Sequence, residues 1–425
     1  MTEEKVLNNM ISIFKKGIKD EANKLGVEFE HFIIDKNSLM SCDYESGVNK
    51  VMVNLVKKGW QPLNPESKEI LGLMKNGHSI TLEPGGQIEL SLKPYVKIQA
   101  IKKAYEEILN EIKASLLSNQ KIISLGYHPK SKINTLEILP KVRYHQMFEY
   151  FKTCGEYAHY MMKGTASTQV TIDYNSEEDF IKKFRVANFL SPFIYRIFDA
   201  SPIFEGALYN KHNLRLKIWD NTDQRRCGIP NQALTNLNFG FKDYGQYILE
   251  SPPIFLKKEN EYIFTGNEKL KDLVKDVKND QVDLEQVLGM VFPDARLKGC
   301  LELRMPDALP YPFNMAVPAL VKGIFYNPSV LEKYYERSLD FNDSDFHKFK
   351  EMLKENMDIE YKGIDTKILI NEIFEDAING LSEEESLELI QLKKIIDSYG
   401  SMSNLLKNLY ETKTSDFLSL ISGGQ

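Results

Sequence analysis

Cysteine is scarce in this 425-residue chain: Cys42, Cys154, Cys227 and Cys300 stand far apart, with no CxxC pair. That spacing suggests neither a disulfide framework nor a zinc ribbon. It reads as reduced thiols in a cytosolic protein. There are seven histidines, and HExxH, GxSxG and GxGxxG are all missing. A zinc-protease helix, a nucleophile elbow and a dinucleotide fingerprint are thereby excluded. No stretch approaches the roughly 20 apolar residues of a membrane span. The opening residues, Met1 to Lys5, are polar and acidic rather than a signal core. The expectation is a soluble, cytoplasmic protein with no membrane partner. A basic excess is lacking too: 54 Lys and Arg face 60 Asp and Glu, a net charge of −6. That balance speaks against a nucleic-acid partner. An anionic substrate would need positive charge added locally, by Arg and Lys or by a metal.

What is present is ordinary globular composition, 42% hydrophobic and 27% charged, in a chain long enough to bury a core without staples. Residues 5–25 read as an amphipathic helix stopped by Gly26, followed by a strand over Val27–Ile34. Ser79–Glu83 and Gln87–Leu92 read as strands around the turn Pro84-Gly-Gly86. Helical patterns cover 47–58, 96–118 and 177–199. Gly164–Tyr174 alternates as a strand with one polar face, and Gly299–Arg304 is another. From about 331 the pattern is almost all helical, and its run Ser382–Ser386 reads as a solvated face. The fold class is α+β with antiparallel strands. Gly72-Leu-Met-Lys-Asn-Gly77-His-Ser79 imitates a P-loop, but His78 stands where the lysine belongs and no apolar strand leads in.

The candidate chemistry lies in carboxylates on strands. Glu28 and Glu30 are two apart and share a face, about 6–7 Å from each other. Alone, the pair fits a solvent face as well as a cation site. Glu83 and Glu89 flank the Pro-Gly-Gly turn, with Gln87 between them, and Glu302 shares a face with Arg304. Together these are the hard oxygen donors expected around Mg²⁺ or Mn²⁺, ions that clamp nucleotide phosphates. A basic cluster follows in Asn213–Arg226: Arg215, Lys217, Trp219, Arg225 and Arg226. If extended, it puts Arg215, Lys217 and Trp219 on one face. It reads either as a solvated loop or as an anion seat with an aromatic floor. Arg185 and Arg196 sit in a helical stretch and could equally be surface residues.

Ten blocks stand out: Gly26–Glu30, Ile80–Ser91 with its Leu-Glu-Pro-Gly-Gly-Gln core, Gly126–Lys130, Pro140–Tyr144, Ser167–Asp173, Lys182–Arg185, Ser201–Gly206, Ile218-Trp219 with Thr222-Asp223, Phe292–Lys298 and Leu301–Arg304. Together they resemble glutamate–cysteine ligases of the plant and proteobacterial type, in the carboxylate–amine ligase superfamily that shares the glutamine-synthetase catalytic fold. The blocks occur in family order over about residues 20–330. The resemblance implies a curved antiparallel sheet with a glutamine-synthetase-like catalytic face, surrounded by helices. It implies a catalytic core over 1–330 and a helical region, 331–425, packed on it. Glu30, Glu83 and Glu89 are expected to hold one metal set, and Glu28, Gln169 and Glu302 the other. Arg304, with Glu83 and Glu302, is expected at the phosphoryl transfer, and Arg215, Trp219 and Arg226 at substrate glutamate.

The implied reaction uses ATP as co-substrate with Mg²⁺, Mn²⁺ being a possible substitute. The glutamate side chain becomes a γ-glutamyl phosphate, which the amine of cysteine attacks to give γ-glutamylcysteine. The alternatives are a γ-glutamyl ligase with another amine acceptor and a catalytically silent binding relative. The partners expected are small molecules, and the chain a monomer or homodimer. The cysteine spacing departs from the redox-controlled plant pattern, and the loop Asp220–Arg225 differs from it in several side chains.

Overall fold

The computed structural model describes residues 2–67, 69–258, 261–276 and 282–423. Its centre is one antiparallel sheet of nine strands. They are β1 (Leu25–Asp35), β2 (Gln61–Pro62), β3 (Gly72–Lys75), β4 (His78–Leu82), β5 (Ile88–Tyr95), β6 (Gln120–Ile123), β7 (Thr168–Ile172), β8 (Ala295–Leu297) and β9 (Leu301–Leu303). The order is β8-β9-β7-β1-β5-β4-β3-β2, with β6 paired to the far end of β1. The long central β1 therefore carries both neighbours of the sheet's middle.

Register decides what shares a face. Glu30 lies opposite Glu89 and Glu28 opposite Ser91 across β1–β5. Glu28 also faces Gln169 across β1–β7. Glu302 is opposite Thr171 and Arg296, and Thr81 is opposite Glu89. Directly paired residues point to the same side, so one face gathers the polar side chains. The other face, with Val27, Phe29, Leu90, Val170 and Leu301, is buried in the core. Phe29 there packs on Tyr105 of the helix Ile98–Lys113 with ring centres 4.6 Å apart. Glu30 and Gln169 on the polar face are themselves buried, so the solvent-face alternative for that strand falls.

Several boundaries differ from expectation for local reasons. The first helix, α1 (Glu3–Lys16), ends well before residue 25. Ile18 leaves it to form a bridge with Tyr174. Gly26 stops nothing, because it lies within β1. A Cβ there would sit 2.3 Å from Thr171 Oγ1, so glycine permits the close approach of β7. The P-loop imitation is the β3–β4 hairpin, with Asn76 at φ 54° and Gly77 at φ 82°, the positive dihedrals of a tight two-residue turn. The pattern over 47–58 holds a π-turn and then α2 (Asn49–Lys57), and that over 96–118 is α3 (Ile98–Lys113). The 213–226 stretch is no strand. It is a short helix, described below with the site.

After Pro328 the chain runs mainly through helices. They share the core of the rest: Phe346 and Phe349 of the helix Asp343–Glu355 pack on Phe189 and Phe193 of the helix Glu177–Ile197. Among the described residues no helix is long and apolar enough to cross a membrane.

Candidate active site

The polar face of the sheet is the floor of a cavity of about 400 Å³. Glu28, Glu30, Glu83, Glu89 and Gln169 line it from the sheet. Arg143 and Tyr144 enter from α4 (Val142–Phe151), which precedes α5 (Ala158–Gly164) and α6 (Glu177–Ile197), and Arg296, Lys298 and Arg304 come from the β8–β9 end. Phe255, Tyr262, Met290 and Phe292 form the apolar wall.

Hydrogen bonds fix part of this set. Glu30 accepts from Ser167 N at 2.6 Å and from Gln169 Nε2 at 2.8 Å. Glu89 accepts from Thr81 and Ser91 hydroxyls at 2.8 and 3.2 Å. Arg296 clamps Glu302 through two bonds, 2.6 and 2.9 Å, and Arg304 reaches both Glu302, at 3.1 Å, and Gln169 Oε1, at 2.5 Å. Among the described residues Glu28 and Glu83 have no hydrogen bond or ion pair at their carboxylates.

The charges are therefore divided unevenly. Burial, then Glu89 and Glu302, push Glu28 up to about 8. Burial, then Glu83 and Glu30, push Glu89 up to about 8 as well. Burial also raises Glu30 and Glu83. Glu302 goes the other way: burial opposes its charge, but Arg296, Arg304 and Lys298 outweigh it and lower its pKa. Two cations act on these carboxylates, Arg143 on Glu83 and Lys298 on Glu28 and Glu302, without an ion pair among the described residues. Among the described residues Arg143 meets only the Tyr144 ring and, at 3.4 Å, its hydroxyl, and its Nε is buried with no partner there. Lys298 Nζ has no partner among the described residues.

Four repelling carboxylates in one cavity cost stability, and the sign gives a test. A carboxyl with a raised folded-state pKa favours folding while protonated and loses that favour as pH rises. The cost of Glu28 and Glu89 grows from about pH 4.5 to about pH 8. Replacing both by Gln is expected to raise the Tm of the ligand-free protein at pH 8 and to change it little at pH 4.5, read by thermal denaturation across pH.

The donors fit Mg²⁺ in a restricted way. Among the described residues no three His, Cys, Asp or Glu side chains are grouped to hold an ion on their own. Of the two expected sets, Glu30, Glu83 and Glu89 line the cavity together, whereas Glu302 and Gln169 of the other are bonded within the chain in this ligand-free arrangement. Glu302 is spent on Arg296, and the Gln169 carbonyl on Arg304. What remains is paired hard oxygens beside open space, which suits an ion completing its shell with phosphate and water.

A smaller cavity of about 90 Å³ adjoins the first and shares Glu30, Glu83, Pro84, Met147, Phe292 and Arg304 with it. Its other end is built by α7, the helix Leu214–Asp220. Helical spacing puts Arg215 and Trp219 one turn apart on one face, and both line this cavity. Arg215 is buried and bonds Met305 O at 2.8 Å and Arg304 O at 3.0 Å through its terminal nitrogens. Among the described residues its buried Nε has no partner, nor has Trp219 Nε1. The guanidinium lies 5.6 Å from the Trp219 ring centre, and that of Arg304 5.8 Å.

Other expected residues are placed elsewhere. Arg226 lines neither cavity. It is fully buried, bonding Asp223 at 2.9 Å, Tyr150 at 2.8 Å and Met290 O at 2.6 Å, so its fork is used up in the structure. Lys217 turns off the shared face to the Tyr157 ring. Arg225 is taken by Asp223 and Asn267. Arg185 and Arg196 are buried and spent mainly on backbone carbonyls, not on the surface. Arg143, Arg296 and Lys298 carried no chemical assignment from sequence, although the blocks Pro140–Tyr144 and Phe292–Lys298 contain them. Arg143 is a lone cation in a helix, and Arg296 and Lys298 lie on a three-residue strand and its turn, too short for a period to show.

A family model described as glutamate–cysteine ligase family 2 matches residues 24–402. The chain belongs to that family. By this membership it is a ligase of the glutamate–cysteine class, in line with the sequence resemblance. Among its relatives is the rice protein glutamate–cysteine ligase B, chloroplastic (Oryza sativa subsp. japonica), 29% identical over 97% of this chain and 86% of its own. The chloroplastic glutamate–cysteine ligase of Arabidopsis thaliana is 29% identical over 89% of this chain and 73% of its own. The fold matches the crystal structure of a Francisella tularensis glutamate–cysteine ligase in complex with AMP, with TM-score 0.58 and 13% identity over 94% of this chain and 88% of that one. It also matches a bifunctional glutathione synthetase from Pasteurella multocida, with TM-score 0.52 and 12% identity over 99% of this chain and 52% of that one. Both likenesses speak for the fold.

The cytoplasmic expectation is corrected by these relatives. The plant proteins in the family carry chloroplastic names. Free thiols and missing apolar spans do not separate one reducing compartment from another.

Proposed function

We propose that the larger cavity binds ATP with Mg²⁺, and that the smaller one seats glutamate with its side-chain carboxylate toward Arg304. The observation that carries this is the junction of the two cavities: Arg304, Glu30 and Glu83 line both. A carboxylate does not react with an amine at useful rates, because oxide would have to leave. Transfer of the ATP γ-phosphoryl group to a carboxylate oxygen releases ADP and leaves an acyl phosphate. The amine nitrogen of cysteine then attacks the acyl carbon, the C–O bond to phosphate breaks, and the amine proton passes to solvent. Mg²⁺, when bound, would be held by the carboxylates of Glu28, Glu30, Glu83 and Glu89 and would supply positive charge beside the phosphates.

The chain's own groups do the remaining work by position. Arg304 is fixed by Gln169 and Glu302 and presents charge where the phosphoryl group passes between cavities. Arg143 and Lys298, with no ion pair among the described residues, suit a polyphosphate chain. The free Nε side of Arg215 suits the glutamate backbone carboxylate. The core over 1–330 holds these groups, with 331–425 packed against it.

If phosphoryl transfer precedes amide formation, glutamate labelled with ¹⁸O in its side-chain carboxylate passes one ¹⁸O to the phosphate released. Unlabelled phosphate would contradict the acyl phosphate. Arg215→Ala is expected to raise the glutamate KM by about 10- to 100-fold, the worth of a lost charged hydrogen bond, and the ATP KM far less. Equal effects on both would remove Arg215 from the glutamate seat.

A further inference from the structure

One buried cation outside both cavities joins the two elements that carry the substrate side of the site. Lys350 lies on the helix Asp343–Glu355, with its side chain only 2% exposed. Its Nζ makes a close ion pair with Asp294 and lies 4.0 Å from Asp220 Oδ1. Asp220 is the last residue of α7, which bears Arg215 and Trp219. Asp294 directly precedes β8, and its backbone carbonyl accepts from Arg304 N at 3.0 Å. Ser191 and Tyr195 of the helix Glu177–Ile197 complete the shell of Asp294. Lys354, one turn further on, also bonds Asp220, at 3.2 Å.

Stability alone is a poor reason for this arrangement. A buried ion pair gains little over apolar side chains of the same volume, and its better-attested use is to fix one arrangement among several. The arrangement here is the distance between α7 and the β8–β9 hairpin. The hairpin is also held by sheet pairing with β7. The seven-residue α7 has no such ladder, and an acidic residue at its C-terminal end opposes the helix dipole. The lysines offset that charge.

Resting on the reading of α7 as the glutamate-binding helix, we propose that Lys350 is a positioning residue. It sets α7 against β8–β9, and through it the C-terminal helices complete the active site.

The test uses the full-length protein with Lys350→Met, with Asp220→Asn, which leaves the Lys350–Asp294 pair intact, and with Lys183→Met as control. Lys183 is a comparably buried lysine, paired with Asp179 away from both cavities. The expected result is a glutamate KM raised tenfold or more in the Lys350 and Asp220 variants, with the ATP KM within about twofold. Lys183→Met should lower the Tm and leave both KM values unchanged. Trp60 and Trp219 are the only tryptophans, so in a Trp60→Phe background the Trp219 emission reports α7 directly. It should shift in Lys350→Met and Asp220→Asn and not in Lys183→Met. If Lys350→Met does not fold, Asp220→Asn decides, with Lys354→Met beside it to subtract the nearer lysine of Asp220. An unchanged glutamate KM and Trp219 emission in Asp220→Asn, or equal rises in both KM values, would overturn the positioning role. A wild-type protein that releases no ADP with ATP, glutamate and cysteine would instead sink the functional reading, and the positioning role with it.

Discussion

Glu83→Gln is expected to reduce kcat by about a thousandfold or more, the scale of losing a preorganised electrostatic contact, while the fold stays intact. Glu83 lines both cavities and has no internal partner among the described residues. In the proposed site this carboxylate faces Mg²⁺. Gln keeps the shape and removes the charge that would recruit a cation. The structural side has the opposite sign: Glu30 and Glu28 repel Glu83, so the ligand-free variant should be no less stable than wild type at pH 8. Turnover at saturating ATP and glutamate, with a melting curve on the same sample, checks both halves. Near-normal turnover would take Glu83 out of the metal reading.

Arg304→Ala is expected to cost about 10³-fold or more in kcat, the scale of an arginine that stabilises charge on a transferred phosphoryl group. Removing a partner of a buried carboxylate often unravels a site, but here Glu302 keeps both bonds to Arg296. The variant therefore isolates the contribution of Arg304 to the transfer. Its ATP KM should change by only a few-fold, because the carboxylates of β1 and β5 and the cations Arg143 and Lys298 are untouched. A loss of less than tenfold would show that Arg304 is not at the reacting phosphoryl group.

The floor of the site is legible in the sequence because strands have a period of two. Spacing alone puts Glu28 with Glu30, and Gln169 with Thr171, on a shared face. Pairing multiplies the effect, since register sets Glu89 beside Glu30 and Gln169 beside Glu28. The helix α7 escapes such a reading because Arg215, Lys217 and Trp219 alternate as a strand would, while Arg215 and Trp219 alone also fit a helical turn. Seven residues are too few to choose between the periods. Arg226 is indistinguishable from Arg215 by residue type. Only packing separates them, one fork consumed by Asp223 and Tyr150 and the other left with a free Nε. Lys350 is invisible in the sequence for a similar reason, as its partners Asp220 and Asp294 are 130 and 56 residues distant. Its helix otherwise reads as an amphipathic surface helix.

The most direct measurement is ADP release by purified protein with Mg²⁺, ATP and glutamate across a panel of amines. Cysteine-dependent release, absent when Mg²⁺, glutamate or cysteine is omitted, is the result predicted. Strong release with another amine and none with cysteine would contradict the assigned acceptor, and no release with any amine would contradict the ligase site itself.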